Sequence, residues 1–225
     1  MTVMTVMSAL PDYPRAPRPP ALEVRHRGLA DYATTWREMQ SYTAARTAES
    51  ADELWFLQHP PVYTLGRNGL TEHVRETGNI PVIHVDRGGQ VTYHGPGQLV
   101  VYVLLDLNRR RLGIPSLVRA LEQAVIDLLA DYSLSGGRRV KAPGVYVDGR
   151  KIAALGLRVK RGCSYHGLSL NVNMDLAPFS LIDPCGFPGL EVTQLADLGV
   201  AAPLDAVTVR YQEHLERLLS RPDHE

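Results

Sequence analysis

At 225 residues the chain is long enough to bury a full hydrophobic core as one large domain. Lys plus Arg (24) balance Asp plus Glu (24), and a pI near 7.1 argues against the long-range positive field with which nucleic-acid-binding proteins gather their target. Two cysteines, Cys163 and Cys185, are too few for a disulfide scaffold and fit a reducing, cytoplasmic setting.

The first 21 residues hold prolines at positions 11, 14, 17, 19 and 20, with neither a basic n-region nor an apolar run long enough for a signal peptide or a membrane span. They read as a disordered leader (1–21) ahead of a single domain (22–225). Leu22 to Arg27 reads as a strand, and Asp31 as the cap of a helix whose Trp36, Met39 and Tyr42 form an apolar stripe. Leu54 to Leu57 is a buried-strand pattern that stops at His59-Pro60-Pro61 and resumes from Val62 to Leu65, so the prolines imply an edge or a bulge. Val82 to Val85 and Leu99 to Leu107 read as strands on either side of a glycine-rich turn. Pro115 opens a helix with Leu117, Leu121, Val125 and Leu128 on one face.

Asp148-Gly149 between Val145-Tyr146-Val147 and the run Lys151 to Leu155 is a hairpin signal, and Arg161-Gly162 marks a second reversal that returns through Tyr165 to Val172. Three antiparallel strands should therefore form a meander with Lys151 at the start of the middle one. A last helix begins near Asp205 with Val207, Tyr211, Leu215 and Leu218 on its apolar face. Many antiparallel strands with few helices indicate an α+β fold.

Two segments carry chemistry. Cys185 sits in Ile182-Asp183-Pro184-Cys185-Gly186-Phe187-Pro188-Gly189, where proline and glycine make turn chemistry around a thiol; a reactive thiol and a small buried hydrophobe are both open readings. Arg87 to Gln98 packs four glycines with an arginine and a histidine, a loop able to offer bare backbone N–H groups to a ligand. Its N–H groups at Arg87-Gly88-Gly89 are candidates for an oxyanion site, and His94 reads equally as catalytic or structural. No G-x-x-x-x-G-K-[ST] occurs in the chain. Cys163, at the second reversal, is assigned no function.

RGGQVTYHGPGQ, GRKIAALGLRV, SYHGLSLNVN and DPCG follow one another in a single order, and from roughly Leu54 to Leu195 the chain resembles the lipoyl(octanoyl) transferases. The resemblance implies the α+β fold of lipoate- and biotin-protein ligases, with mixed, largely antiparallel sheets and flanking helices. It implies transfer of an octanoyl group from octanoyl-acyl carrier protein to the target lysine of lipoyl domains, those of 2-oxo acid dehydrogenase E2 subunits and of the glycine-cleavage H protein. Cys185 would carry the acyl group as a thioester, and Lys151 would lower the thiol pKa and relay protons. Substrate contacts would fall on Arg87, Gly88, Gly89, Gln90, Val91, Thr92, Tyr93 and His94, on Ala154, Leu155 and Gly156, and on Gly167, Leu168 and Ser169. Leu155 and Leu168 are then candidate walls of an acyl slot. No cofactor, metal, ATP, nucleic acid or membrane is implied, a monomer is expected, and Arg109-Arg110-Arg111, Arg138-Arg139 and Arg158-Lys160-Arg161 offer basic contacts for an acidic carrier.

Overall fold

Side-chain periodicity sorts the chain into two sheets. In the computed structural model, which describes residues 22–70, 73–75, 77–182 and 189–220, a first strand β1 (Leu22–Leu29) leads into helix α1 (Tyr32–Ala45). Asp31 caps that helix by accepting a 2.8 Å hydrogen bond from the Thr34 N–H, as its sequence position predicts. Strand β2 (Asp52–Gln58) pairs parallel to β1, and strand β3 (Val62–Leu65) lies in a different sheet. The expected edge or bulge at Pro60-Pro61 is thus a change of sheet: β2 is buried and flanked on both sides, and the prolines, which cannot donate to a ladder, sit where the chain leaves it.

Strands β4 (Val82–His84) and β5 (Val91–His94) flank β3 in a three-stranded sheet. The glycine-rich segment is therefore partly strand rather than all loop, because Val91 and Tyr93 alternate into the core formed with Tyr63 and Leu65. Strand β6 (Gln98–Leu104), helix α2 (Ile114–Asp131), β7 (Gly137–Arg139), β8 (Ala142–Val147), β9 (Arg150–Lys160), β10 (Cys163–Asn171) and helix α3 (Leu204–Leu219) complete the described elements. The larger sheet runs β1-β2-β6-β10-β9-β8-β7 and is antiparallel apart from β1-β2. The predicted meander is β8-β9-β10; Asp148 and Gly149 both adopt positive φ (47° and 81°), as a tight hairpin requires.

Leu117, Leu121, Val125 and Leu128 of α2 and Val207, Tyr211 and Leu215 of α3 are fully buried against one face of this sheet, with Leu219 rather than Leu218 the more buried residue at the end of α3. Helix α1 covers the other face through Met39, against Trp55, Leu57, Val100, Tyr102 and Tyr165. The leader (1–21) and Cys185 lie outside the described residues.

The basic runs have internal partners. Asp52, wholly buried, accepts from Arg46, Arg109 and Arg110 and from the Asp106 N–H at 2.8 Å, tying β2 to the segment between β6 and α2. Arg138 bonds the nearly buried Glu122 at 2.8 Å, Arg139 the Gly149 carbonyl and Arg161 the Ala44 carbonyl, while all three remain exposed at the surface. Removing the Asp52 carboxylate would leave three guanidinium groups without their shared acceptor. Asp52→Ala is expected to cost about 3–5 kcal/mol, read as a lowered urea midpoint; an unchanged midpoint would show that the cluster contributes nothing.

Candidate functional site

The two sheets meet where the Arg87 turn lies on β9. The Gly88 N–H donates to the Leu157 carbonyl at 2.9 Å, and a Cβ placed on Gly156 would come within 2.8 Å of the Gly88 carbonyl oxygen, so only glycine permits this approach. The Arg87 guanidinium is buried, donating to the Thr64 carbonyl (2.7 Å), the Thr64 hydroxyl (2.8 Å) and the Gly88 carbonyl (3.0 Å). This corrects one expectation: the Gly88 N–H is engaged by β9 and is not available to an oxyanion.

Between the sheets runs a cavity of about 60 Å³, several times the roughly 10–15 Å³ that one water needs. Arg87, Gly89, Gln90, Val91, Thr92, His94, Ala154, Leu155, Gly156, Gly167, Leu168 and Ser169 all border it, together with Lys151. Gly88 and Tyr93 are not among the bordering residues; Tyr93 packs between Tyr63 and Phe179. Leu155 and Leu168 border the cavity and also pack with the main core.

Lys151 is 4% exposed, with its ammonium 5.4 Å from the centre of the Tyr146 ring. Its backbone is fixed from the far side of the strand: the Lys151 N–H donates to the Glu191 carbonyl and its carbonyl accepts from Thr193, both at 2.9 Å. Lys151 thus forms a parallel bridge with Val192, in the segment that follows the Cys185 loop.

Sequence reasoning did not find Tyr32, His59, Asp86, Tyr102, His166 or Asn171, because their partners are distant in the chain. Gln98 donates to the Tyr93 carbonyl (3.2 Å) and to Asn171 Oδ1 (3.0 Å), so its Oε1 accepts from His94 Nδ1–H at 2.7 Å and leaves His94 Nε2 as the lone-pair nitrogen. His59 donates from Nδ1 to the Ala30 carbonyl (2.6 Å) and accepts the Tyr102 hydroxyl at Nε2 (2.7 Å). Tyr32 stacks on His94 at 5.7 Å between ring centres. Burial pushes His94 down to about 3, aided by the nearby His59, and pushes His59 down to about 4 against the opposing bond to Ala30.

Asp86 accepts from Trp36 Nε1 and His166 Nε2, both at 2.9 Å, and from the Tyr165 hydroxyl. Burial would raise the Asp86 carboxyl, but these three donors outweigh it and hold it well below the usual carboxylate range. His166 is lowered by burial, with Asp86 opposing.

Both His59 and His94 have folded values below the ordinary 6.5, so the unfolded chain binds their protons first and stability falls as pH drops below about 6.5 toward 4 and 3. Asp86, depressed instead, adds stability that is lost only below the ordinary carboxylate pKa and does not alter this window. At roughly 1.4 kcal/mol per pH unit per histidine, the two together should remove about 4 kcal/mol between pH 7 and 5. Urea unfolding at both pH values measures this, and His94→Gln should cut the loss by about half; a wild-type midpoint that does not move would refute it.

Residues 31–216 match the lipoyl protein ligase A/B catalytic domain. An octanoyltransferase of Laribacter hongkongensis is 58% identical over 91% of this chain and 99% of its own length. Among solved structures, a bipartite lipoate protein ligase of Thermoplasma acidophilum, described with its E2 lipoyl domain, superposes with a TM-score of 0.69 at 18% identity over 88% of this chain and 84% of its own. The biotin protein ligase of Aquifex aeolicus in complex with biotin and ATP gives 0.58 at 12%, over 88% and 70%. The chain therefore belongs to the lipoyl protein ligase A/B catalytic-domain family, on its octanoyltransferase branch.

Proposed function

We propose that this protein transfers an octanoyl group from octanoyl-acyl carrier protein to the target lysine of lipoyl domains, those of 2-oxo acid dehydrogenase E2 subunits and of the glycine-cleavage H protein, by way of a Cys185 thioester. The observation that carries this reading is the buried Lys151, which borders the cavity between the two sheets and is fixed by a bridge to the segment that follows Cys185. Ile182 and Val192, on either side of the Cys185 loop, pack in one cluster, and three residues of chain from Ile182 reach at most about 11 Å.

A free thiol is only a few per cent thiolate at neutral pH, and a neighbouring ammonium favours the ionised form. The Cys185 thiolate attacks the carrier thioester, a new C–S bond forms, and the departing carrier thiolate takes a proton from Lys151. The amine of the acceptor lysine then attacks the acyl-enzyme, giving up a proton to Lys151 as the amide forms and Cys185 leaves as thiolate. Thioester exchange is close to isoenergetic and amide formation is downhill, so neither step calls for ATP. The eight-carbon chain would lie along β9, where its burial at about 0.8 kcal/mol per methylene contributes several kcal/mol. The setting proposed is the cytoplasm, with the protein acting as a monomer at the first step of endogenous protein lipoylation.

Intact-protein mass spectrometry with octanoyl-acyl carrier protein and no ATP is the direct test. Wild type should gain one hydroxylamine-labile octanoyl group and pass it to an added lipoyl domain, whereas Cys185→Ser should gain none. Absence of a wild-type adduct would point to an ATP-dependent ligase. Gly144, at φ 137°, probes Lys151 separately, because a Cβ there would lie 2.8 Å from Lys151 Cε and 2.6 Å from the Ala153 carbonyl oxygen. Gly144→Ala should lower turnover by about 100-fold through misplacement of the ammonium in a chain whose circular dichroism shows it still folded; turnover within twofold of wild type would remove Lys151 from the mechanism.

A further inference from the structure

His166 should not point where it does. Alternate residues of a strand face opposite sides of its sheet, yet the rings of Tyr165 and His166, neighbours in β10, stack with centres 5.1 Å apart. The cause is a positive φ of 60° at His166, an uncommon conformation for a residue with a side chain, which turns its imidazole to the cavity side beside Tyr102. Held there, the side chain is 1% exposed and borders the cavity.

Asp86 fixes its tautomer. A carboxylate only accepts, so His166 Nε2 carries the proton it shares with Asp86 Oδ1 at 2.9 Å, and in the neutral ring Nδ1 is left as a lone pair. Nδ1 is buried and has no hydrogen-bond partner among the described residues.

The strand register locates the lone pair relative to the chemistry. His166 pairs with Leu157, six residues beyond Lys151 on β9, or about 20 Å at roughly 3.3 Å per residue. An extended eight-carbon chain spans roughly 9 Å, from single bonds near 1.5 Å and tetrahedral angles. A Cβ on Gly144, the strand partner of Ala154, would lie 2.8 Å from Lys151 Cε, so the lysine side chain runs along β9 to within three residues, or about 10 Å, of the Leu157 level, and a chain whose carbonyl reacts beside its ammonium would end near the imidazole.

We propose that the Asp86–His166 pair forms a hydrogen-bond-accepting subsite at the far end of the acyl slot, suited to a medium-chain acyl group carrying a hydroxyl or thiol donor on its terminal carbon. This rests on the transferase reading above, which sets the reacting end at Lys151. A terminal methyl leaves the Nδ1 lone pair unsatisfied, whereas a terminal hydroxyl of nearly the same size satisfies it. Asp86 acts as a positioning residue: it holds the ring in the one tautomer that accepts.

The test compares carrier thioesters of octanoate, nonanoate, 8-hydroxyoctanoate and 8-fluorooctanoate as donors to a lipoyl domain. The hydroxyl and the methyl of the nonanoyl chain are close in size, and the fluorine accepts but does not donate. Wild type should use 8-hydroxyoctanoyl with kcat/KM at least tenfold above nonanoyl, with no such gain for 8-fluorooctanoyl over octanoyl. His166→Phe keeps a ring against Tyr165 and removes both nitrogens, and should bring the hydroxyl-to-methyl ratio below two whatever its overall rate. Octanoyl transfer with a wild-type ratio of one or less overturns the subsite and leaves the transferase reading standing. Failure to transfer octanoyl at all overturns both. If His166→Phe does not fold, the wild-type ratio still decides.

Discussion

The site depends on one buried cation. Arg87 lies between the two sheets, and a guanidinium out of water is tolerable only where its donors are met. Thr64 of β3 meets them with its carbonyl and its hydroxyl, and the Gly88 carbonyl meets another, so the turn and the smaller sheet are locked into one piece. The absent side chain of Gly156 lets that piece settle on β9, where the Gly88 N–H reaches Leu157. The cavity is the space this docking leaves, with Lys151 and Gly156 on one wall and Val91, Thr92 and His94 on the other.

Local signals made much of this legible. The Asp31 cap, the apolar stripe of α2 and the Asp148-Gly149 hairpin each depend on residues within a few positions of one another, and each formed as read. Pro60-Pro61 was read as a defect in one strand because the sequence shows that pairing stops there but not where the chain goes next; β3 joins another sheet. The arginine pair at 109 and 110 reads as a basic contact for a carrier, and its buried acceptor Asp52 escapes notice because it lies 57 and 58 residues away. The same distance problem hid Asp86 and His166, 80 residues apart, and Tyr102 and His59, 43 apart. Motif likeness reached Lys151 and the cavity walls, and non-local hydrogen bonding set the rest.

Lys151 combines two properties that a surface lysine lacks. It projects from a long strand paired on both sides, and its backbone is clamped by the segment carrying Val192. A flexible four-carbon side chain loses conformational freedom when buried, and here the glycine at 144 and the Tyr146 ring define the space it occupies. A lysine placed on a sheet rather than on a loop keeps its position, which suits the two half-steps on one thiol proposed for it.

A cavity bordered by two histidines, an arginine and an asparagine suits the alkyl chain proposed for it only once their hydrogen bonds are followed. His94 gives its proton to Gln98, which bonds Asn171, whose amide in turn donates to the Thr193 carbonyl at 3.0 Å. His59 is closed by Ala30 and Tyr102, and Arg87 by Thr64 and Gly88. Much of this polar capacity is turned into the protein, and burial keeps His59 and His94 neutral. Against that background the unpartnered Nδ1 of His166, on a histidine that breaks the alternation of its own strand to reach the cavity, gives the far end of the slot a chemical preference that the apolar walls alone would lack.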